Sequence, residues 1–511
     1  MIDVLIIGNG GAGLTCAIEA KQTGKSVVVI SKTYPTSSQT SQAQGGINAV
    51  LNNTKDSIDE HIKDTLKSAN NIGDEKCISF MCENSAKSIK WLDDIGVPFS
   101  KDKNGNIAQR TLGGATNPRA CYSSDYTGLK ILHTLYDTAL KNEIEFLNEK
   151  MILSLIVEDE VVYGVTYLDI KSSEVKEIRA KNVVIASGGY CGIYHKHTTN
   201  STATTGEMLA IAKKAGVVVE NLEFVQFHPT TLNKTCVLIS ESARGEGGYL
   251  VTKNGNRFTD ELAPRDIVAR EIYKKIQNDE EIYLDLRHLG IDKIKEVMPQ
   301  EYELVKTFAS LELDKDLVSI KPSAHYSMGG IKTLLDGTTN IKNLYAIGEC
   351  ASNGVHGANR LGGNSLLEIV TFGRHLGQIL ANKTNDIEID MTSKTLEKDK
   401  KYIEQLFSNT IKKNSNFYEH KDKLGTMMFK NVGIFRDENN LKNTLNQLKD
   451  IKNDFINMGI SDKSKIYNTN LKEFIEFTNM VDLAISITQS AINNKTSCGA
   501  HFINMIQNEV N

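Results

Sequence analysis

A chain of 511 residues exceeds what one hydrophobic core normally organises, so about two to four structural units are expected. Forty per cent hydrophobic residues is ample for buried cores, and a formal net charge of −4 without any long Lys/Arg block removes the electrostatic case for nucleic acid as a partner. No apolar run reaches the roughly eighteen residues a membrane-spanning helix needs, so direct membrane insertion is excluded from the expectation. The first apolar run, Ile2 to Ile7, leads straight into a glycine turn with no charged leader or cleavage site, which points to a cytoplasmic protein. The eight cysteines are scattered, with no Cys-x-x-Cys pair and no spacing suited to zinc or iron–sulfur ligation, so reduced thiols and no metal site are expected.

The N-terminal stretch reads strand, turn, helix, strand, a βαβ unit. Residues 56–95 read as helical, with Asp59, His61 and Asp64 expected in solvent and Ile78, Phe80, Met81, Ala86 and Trp91 packed. Strand patterns return over 152–168 and 183–186. From Glu223 to Leu335 short strands and isolated helices surround many His and Arg residues, as in a substrate-facing insertion, and strand character reappears at Leu344 to Ile347. Beyond Leu396 apolar residues recur at helical spacing, among them Tyr402, Leu406, Phe474, Phe477, Met480, Leu483 and Ile487.

Within the βαβ unit, Gly8-Asn9-Gly10-Gly11-Ala12-Gly13 follows a strand and opens a helix, the context that gives a G-x-G-x-x-G match meaning. Gly8 permits the tight turn, Gly10 and Gly11 with Ala12 let backbone approach a pyrophosphate at the helix N-terminus, and Gly13 allows close helix–strand packing. An acidic ribose ligand is expected about twenty residues on. The second strand instead ends in Ser31-Lys32, so the fingerprint alone leaves the dinucleotide open.

Five further segments, in order, carry a resemblance: Ala43-Gln44-Gly45-Gly46-Ile47-Asn48-Ala49, Phe227-His228-Pro229-Thr230, Arg244-Gly245-Glu246-Gly247-Gly248, Ala324-His325-Tyr326-Ser327-Met328-Gly329-Gly330-Ile331, and the run from His356 to Leu367. The chain resembles the succinate dehydrogenase and fumarate reductase flavoprotein family, which also includes L-aspartate oxidase. The resemblance implies an α/β fold: a Rossmann-like FAD-binding domain (1–225 and 336–385) interrupted by an α+β capping domain (226–335) and followed by a helical C-terminal domain (390–511). It places Ser31, Lys32, Ala43, Gln44, Gly45 and Gly46 along FAD, with Glu349, Ser365 and Leu366 contributing from the second crossing.

For the substrate, a C4 dicarboxylate, the resemblance implies His228, Ser240, His325 and Arg360 as binding residues. Arg265 is the implied proton donor, with Glu241 feeding protons to it. Arg244 beside Glu246 reads as a structural ion pair, and Asp125-Tyr126-Thr127-Gly128 as packing support. His61, His133 and His420 read as surface or packed groups.

Three departures matter. Where family members with covalent flavin carry Ser-His-Thr, this chain has Ser38-Gln39-Thr40, and an amide cannot form the histidyl bond, so noncovalent FAD is expected. L-aspartate oxidase shares the run Leu262 to Arg270, but its glutamate before a Gly-Gly pair is here Leu112 before Gly113-Gly114, which favours fumarate/succinate over aspartate. Cys498-Gly499-Ala500-His501 replaces a family Arg-Gly-Ala-His segment and lacks the tail that follows it in membrane complexes, which bears on the iron–sulfur partner subunit and the peripheral position at the inner membrane face that the resemblance implies. The alternatives are L-aspartate oxidase and an electron-transfer subunit without an organic substrate of its own.

Overall fold

The computed structural model describes residues 2–52, 54–384, 394–409 and 416–504. Three apolar strands stack at its centre because β-branched runs buried on both faces favour parallel pairing. Strand β1 (Ile2–Ile7) pairs with β2 (Val27–Ile30) in parallel, Val4 opposite Val27 and Ile7 opposite Ile30, and the helix α1 (Gly11–Lys21) crosses between them. On its other side β1 pairs with the strand Val175–Ile185, which also receives Leu344–Ala346 in parallel. The first half of Val175–Ile185 leaves the parallel sheet and forms an antiparallel meander with Val161–Asp169 and Lys150–Glu158. Side-chain alternation divides the core: Leu5 and Ile7 join a cluster with Phe474, Phe477 and Ile487, whereas Val4 and Ile6 join one with Leu14, Ala17 and Val370.

A second sheet of four antiparallel strands, Val225–Leu232, Val318–Ser327, Ile282–Asp285 and Tyr249–Thr252, has its own core of Leu250, Ile272, Leu284, Val305 and Ile320. The helices Arg265–Gln277 and Pro299–Ala309 pack with it. Four helices, Lys394–Ser408, Phe417–Asn431, Glu438–Asn453 and Thr469–Asn493, form the C-terminal part. The domain limits expected at 385 and 390 lie outside the described residues.

Several packing expectations are corrected. The 56–95 region is three helices, Ile58–Ser68, Glu75–Glu83 and Ser85–Asp94, but His61 and Asp64 are buried rather than solvated, and Ala86 is exposed. The cause is Arg119, fully buried, whose guanidinium donates to Asp56 (2.8 and 2.9 Å) and to Asp64 (2.8 Å) and draws one polar helix face inward. His61 Nε2 lies 3.0 Å from Asn364 Oδ1, and burial pulls its pKa down to about 4, so the ring is neutral. In the C-terminal helices Leu406, Phe474, Phe477, Met480, Leu483 and Ile487 are buried, but Tyr402 lies at the surface.

Candidate active site

A single cleft runs from the N-terminus of α1 to the seam between the first sheet and the second. Its floor is the glycine turn. Gly8 has φ +114°, and a Cβ there would lie 2.2 Å from the Ala186 carbonyl oxygen, so only glycine allows the strands to approach. Gly8, Gly10, Gly11 and Ala12 line the cleft. Gly13 does not: a Cβ on it would lie 2.1 Å from the Gly8 carbonyl oxygen, so it packs α1 onto the turn. Ser31, Lys32, Ala43, Gln44, Gly45, Gly46, Glu349, Ser365 and Leu366 line the remaining length.

Two of these also pair within the protein. The Lys32 ammonium is turned to Glu207 (2.6 Å) and to Glu476 (2.9 Å) of the C-terminal helix Thr469–Asn493. Burial acts to lower its pKa, but the two carboxylates outweigh that and raise it, so this charge also clamps the C-terminal helix to the edge of the cleft. Glu349 Oε1 accepts from Ser327 N (2.9 Å) and Ser327 Oγ (3.1 Å). Burial pushes its pKa up to about 7.

The cleft fits a dinucleotide by its unpaired polar atoms as well as its shape. Among the described residues Ser38 Oγ, Gln44 Oε1 and Ser187 Oγ are buried without a hydrogen-bond partner, and all three residues line the cleft. Buried polar groups are rarely left so unless a ligand completes them. Gln39 also lines the cleft, and its Oε1 accepts from Ser201 N at 3.1 Å. The segment Asp125–Gly128 supports this wall from behind: Gly128 N donates to Ala43 O (2.7 Å), Thr127 Oγ1 to Gln44 O (3.4 Å), and a Cβ on Gly128 would lie 2.1 Å from Thr40 O.

At the seam between the sheets the cleft collects His228, Ser240, Glu241, Arg265, His325 and Arg360. His228 and His325 come from neighbouring strands, and their rings stand 5.0 Å apart, inclined at 61°. Each ring uses Nδ1 within the protein, and in the tautomer in which Thr199 Oγ1 (2.8 Å) donates to His325 Nδ1 and Thr230 N (3.3 Å) to His228 Nδ1, the Nε2–H groups are left for a ligand. Burial first, then the nearby Arg265, holds both pKa values well below the ordinary histidine range, so both rings are neutral at physiological pH.

Arg360 lies over the Tyr326 ring at 4.2 Å, and its Nε is buried and unpaired. Burial, followed by the repulsion of Arg265, lowers its pKa to about 10, which still leaves it charged. Arg265 begins the helix Arg265–Gln277, and its Nη2 and Nε donate to Glu241 Oε2 at 2.6 and 3.2 Å. Glu241 is enclosed: a Cβ on Gly113 or on Gly362 would lie 2.5 or 2.4 Å from its carboxylate oxygens. Burial acts to raise the Glu241 pKa, yet Arg265 and Arg244 outweigh it and keep the carboxylate ionised. Arg244 pairs with Glu241 (3.4 Å), not with Glu246 as its neighbourhood in sequence suggested; Glu246 pairs with Lys293. The reason is helical phase, since Glu241 is three residues back on the helix Glu241–Gly245.

Ser240 caps that helix, its Oγ accepting from Ser242 N (3.2 Å) and lying 2.8 Å from Ser242 Oγ. Gln226 escaped the sequence reading. Fully buried, its Oε1 accepts from Arg265 (3.0 Å) and Arg360 (3.4 Å), while its Nε2 donates to Asn359 Oδ1 and Arg360 O. Its place two residues before His228 was the available signal. His133 is exposed, His420 is half-buried, and neither lines the cleft.

Comparison with known proteins gives the family. A model of the FAD binding domain matches residues 3–366, and a model of the fumarate reductase flavoprotein C-terminal region matches 421–508. The chain belongs to the succinate dehydrogenase/fumarate reductase flavoprotein family. It is 36% identical to the succinate dehydrogenase flavoprotein subunit of Rickettsia felis, over 98% of this chain and 89% of that one. Against the 8-methylmenaquinol:fumarate reductase flavoprotein subunit of Wolinella succinogenes the identity is also 36%, covering 98% of this chain and 85% of the relative. A solved Escherichia coli quinol fumarate reductase chain superposes with a TM-score of 0.92 at 33% identity, over 99% of this chain and 91% of that one. This flavoprotein is therefore an FAD-dependent oxidoreductase. Its fold, an FAD-binding α/β domain with a helical C-terminal domain, is that of the family.

Proposed function

We propose that this flavoprotein interconverts fumarate and succinate at the seam between its two sheets, with FAD held noncovalently in the adjoining cleft. The observation that carries the reading is the convergence of two neutral imidazoles and two guanidiniums on one wall of the cleft. A short diacid needs donors at both ends, and the His Nε2–H groups of the tautomer whose Nδ1 atoms accept from Thr230 N and Thr199 Oγ1, with an unpaired Arg360 Nε, provide them. Bound in the adjoining cleft lined by Gly8, Gly10 and Gln44, FAD would supply the hydride-transfer chemistry. Arg360, fixed on Tyr326 and tied to Gln226, grips one carboxylate and stabilises the charge that builds there. Arg265 donates the proton to the other alkene carbon, and the ionised Glu241 and Arg244 behind it form the chain that restores it. A free guanidinium has a pKa above about 12, so the buried Glu241 contact orients Arg265 and shares its proton.

Leu112, buried and lining the same cleft, offers no partner to an ammonium, which weighs against L-aspartate oxidation. Gln39 stands where a histidyl bond would form, and its amide supports noncovalent FAD. We infer an iron–sulfur partner subunit as the electron route, with a peripheral membrane position through that partner; among the described residues no helix is long and apolar enough to cross a membrane. The Cys498–His501 segment folds back within this chain, Ala500 N donating to Ala358 O (3.0 Å) and Arg270 to Gly499 O (2.7 Å). Mixing the FAD-loaded protein with a reduced dye and fumarate, succinate or aspartate tests the whole reading. Dye oxidation by fumarate is expected, and turnover of aspartate alone would replace it.

A further inference from the structure

We propose that Glu301 is a positioning residue for Ser240, and that it shares a proton with Asp125 to hold the substrate-facing loop against the loop that supports the flavin wall. The proposal rests on the fumarate/succinate reading for its kinetic part only. Glu301 lies in the first turn of the helix Pro299–Ala309 and is fully buried. Its Oε1 accepts from Ser240 N at 3.2 Å, and its Oε2 is buried with no donor among the described residues. Asp125 is also fully buried, its Oδ2 accepting from Gln300 N (2.7 Å) and Glu301 N (3.2 Å) at the start of the same helix. Through the Glu301 N–H on Asp125 Oδ2, the Asp125 carboxyl is held against the residue whose own carboxyl is buried and lacks a donor on Oε2.

The position gives the pair its consequence. Ser240 and Glu241 follow directly on one side, and on the other Asp125 leads into Thr127 and Gly128, which hold the Ala43–Gln44 wall. Two carboxylates in contact away from water cannot both ionise. Burial and Asp125 hold the Glu301 carboxyl well above the ordinary range, so it is the protonated member. The other titratable groups facing the pair are the Arg110 guanidinium and Tyr126. Arg110 does not neutralise the pair, because it donates to the carbonyls of Gln44, Gly45 and Ser124. A carboxyl whose folded pKa is raised makes the native state hold the extra proton, so stability falls as pH rises toward that folded value, the reverse of an ion-paired carboxylate.

The experiment compares the full-length FAD-loaded protein with Glu301→Gln and Glu301→Leu, reading thermal unfolding and the KM for fumarate from about pH 6 to about pH 9. The native protein should lose unfolding temperature relative to Glu301→Gln as pH rises, with KM climbing several-fold at the alkaline end. Glu301→Gln keeps an acceptor for Ser240 and cannot ionise, so its KM should stay flat. Glu301→Leu leaves the Ser240 N–H unpaired and should raise KM about tenfold at every pH. Glu301→Gln tracking the native protein in both readouts would overturn the proposal, as would an unchanged KM in Glu301→Leu. Unfolding needs no substrate, so absence of fumarate turnover removes the proposed activity while the unfolding profiles still decide the carboxyl pair. If Glu301→Leu does not fold, Glu301→Gln carries the comparison alone.

Discussion

Glu241→Gln isolates the charge behind Arg265 without changing its shape. The carboxylate sits between Gly113 and Gly362 with no spare space, so a near-isosteric amide keeps the packing. What changes is the pairing of two buried guanidiniums: Arg265 loses a 2.6 Å partner, Arg244 a 3.4 Å one, and an amide N–H is turned toward donors. Removing one member of a buried ionic group typically costs about 3–5 kcal/mol. Loss of a positioned proton relay typically lowers turnover by about 10²- to 10⁴-fold. Steady-state fumarate reduction per bound FAD should therefore fall by at least about 100-fold, with FAD content retained because Glu241 faces the substrate end. The sign with pH follows from the depressed Glu241 pKa: its stabilisation is present above the ordinary carboxylate range and lost as pH falls through the folded value. The gap in unfolding temperature between native protein and variant should thus narrow toward acid. A kcat within about twofold of the native value at equal FAD content would refute the relay.

Three further outcomes follow from the cleft. Acid precipitation should leave yellow FAD in the supernatant, since Gln39 cannot hold it covalently; a yellow pellet would contradict this. Gly13→Ala drives a Cβ into the Gly8 carbonyl oxygen and should cost about 1–3 kcal/mol with loss of bound FAD, read by denaturant unfolding and flavin absorbance. Lys32→Met strands Glu207 and Glu476 and should destabilise by about 3–5 kcal/mol, with a deficit that shrinks toward acid as the Glu476 carboxylate protonates. In the native protein the Lys32 contribution is full below the ordinary lysine range and is lost only as pH rises through its elevated folded value.

What was legible in the sequence is what local geometry dictates. Gly8 and Gly10 could be assigned because a tight turn after a strand constrains φ and backbone approach within a few residues. The cleft residues His228, His325, Arg265 and Arg360 could be picked out because each lies in a segment carried by the family resemblance. What was missed are partners the periodicity does not contain. Asp64 has the spacing of a solvated helix position, but its guanidinium is 55 residues away at Arg119. Lys32 lines the cleft, and its ion-pair partner Glu476 stands 444 residues further along the chain.

Glu301 is the instructive case, because a signal for it did exist. It lies four residues before the buried Val305 and beside the buried Tyr302, so helical phase puts its carboxyl on the inward face. An acid on such a face demands a compensating group, since a lone buried charge is strongly disfavoured. The natural guess would be an arginine, and Arg110 is close enough to exert its field. Arg110, however, uses its donors on three carbonyls that shape the flavin wall. With the cation committed elsewhere, the least costly state for Glu301 is protonated against Asp125. That inference needs two folded segments to be in contact before it can be drawn, and no pattern along the chain supplies that contact.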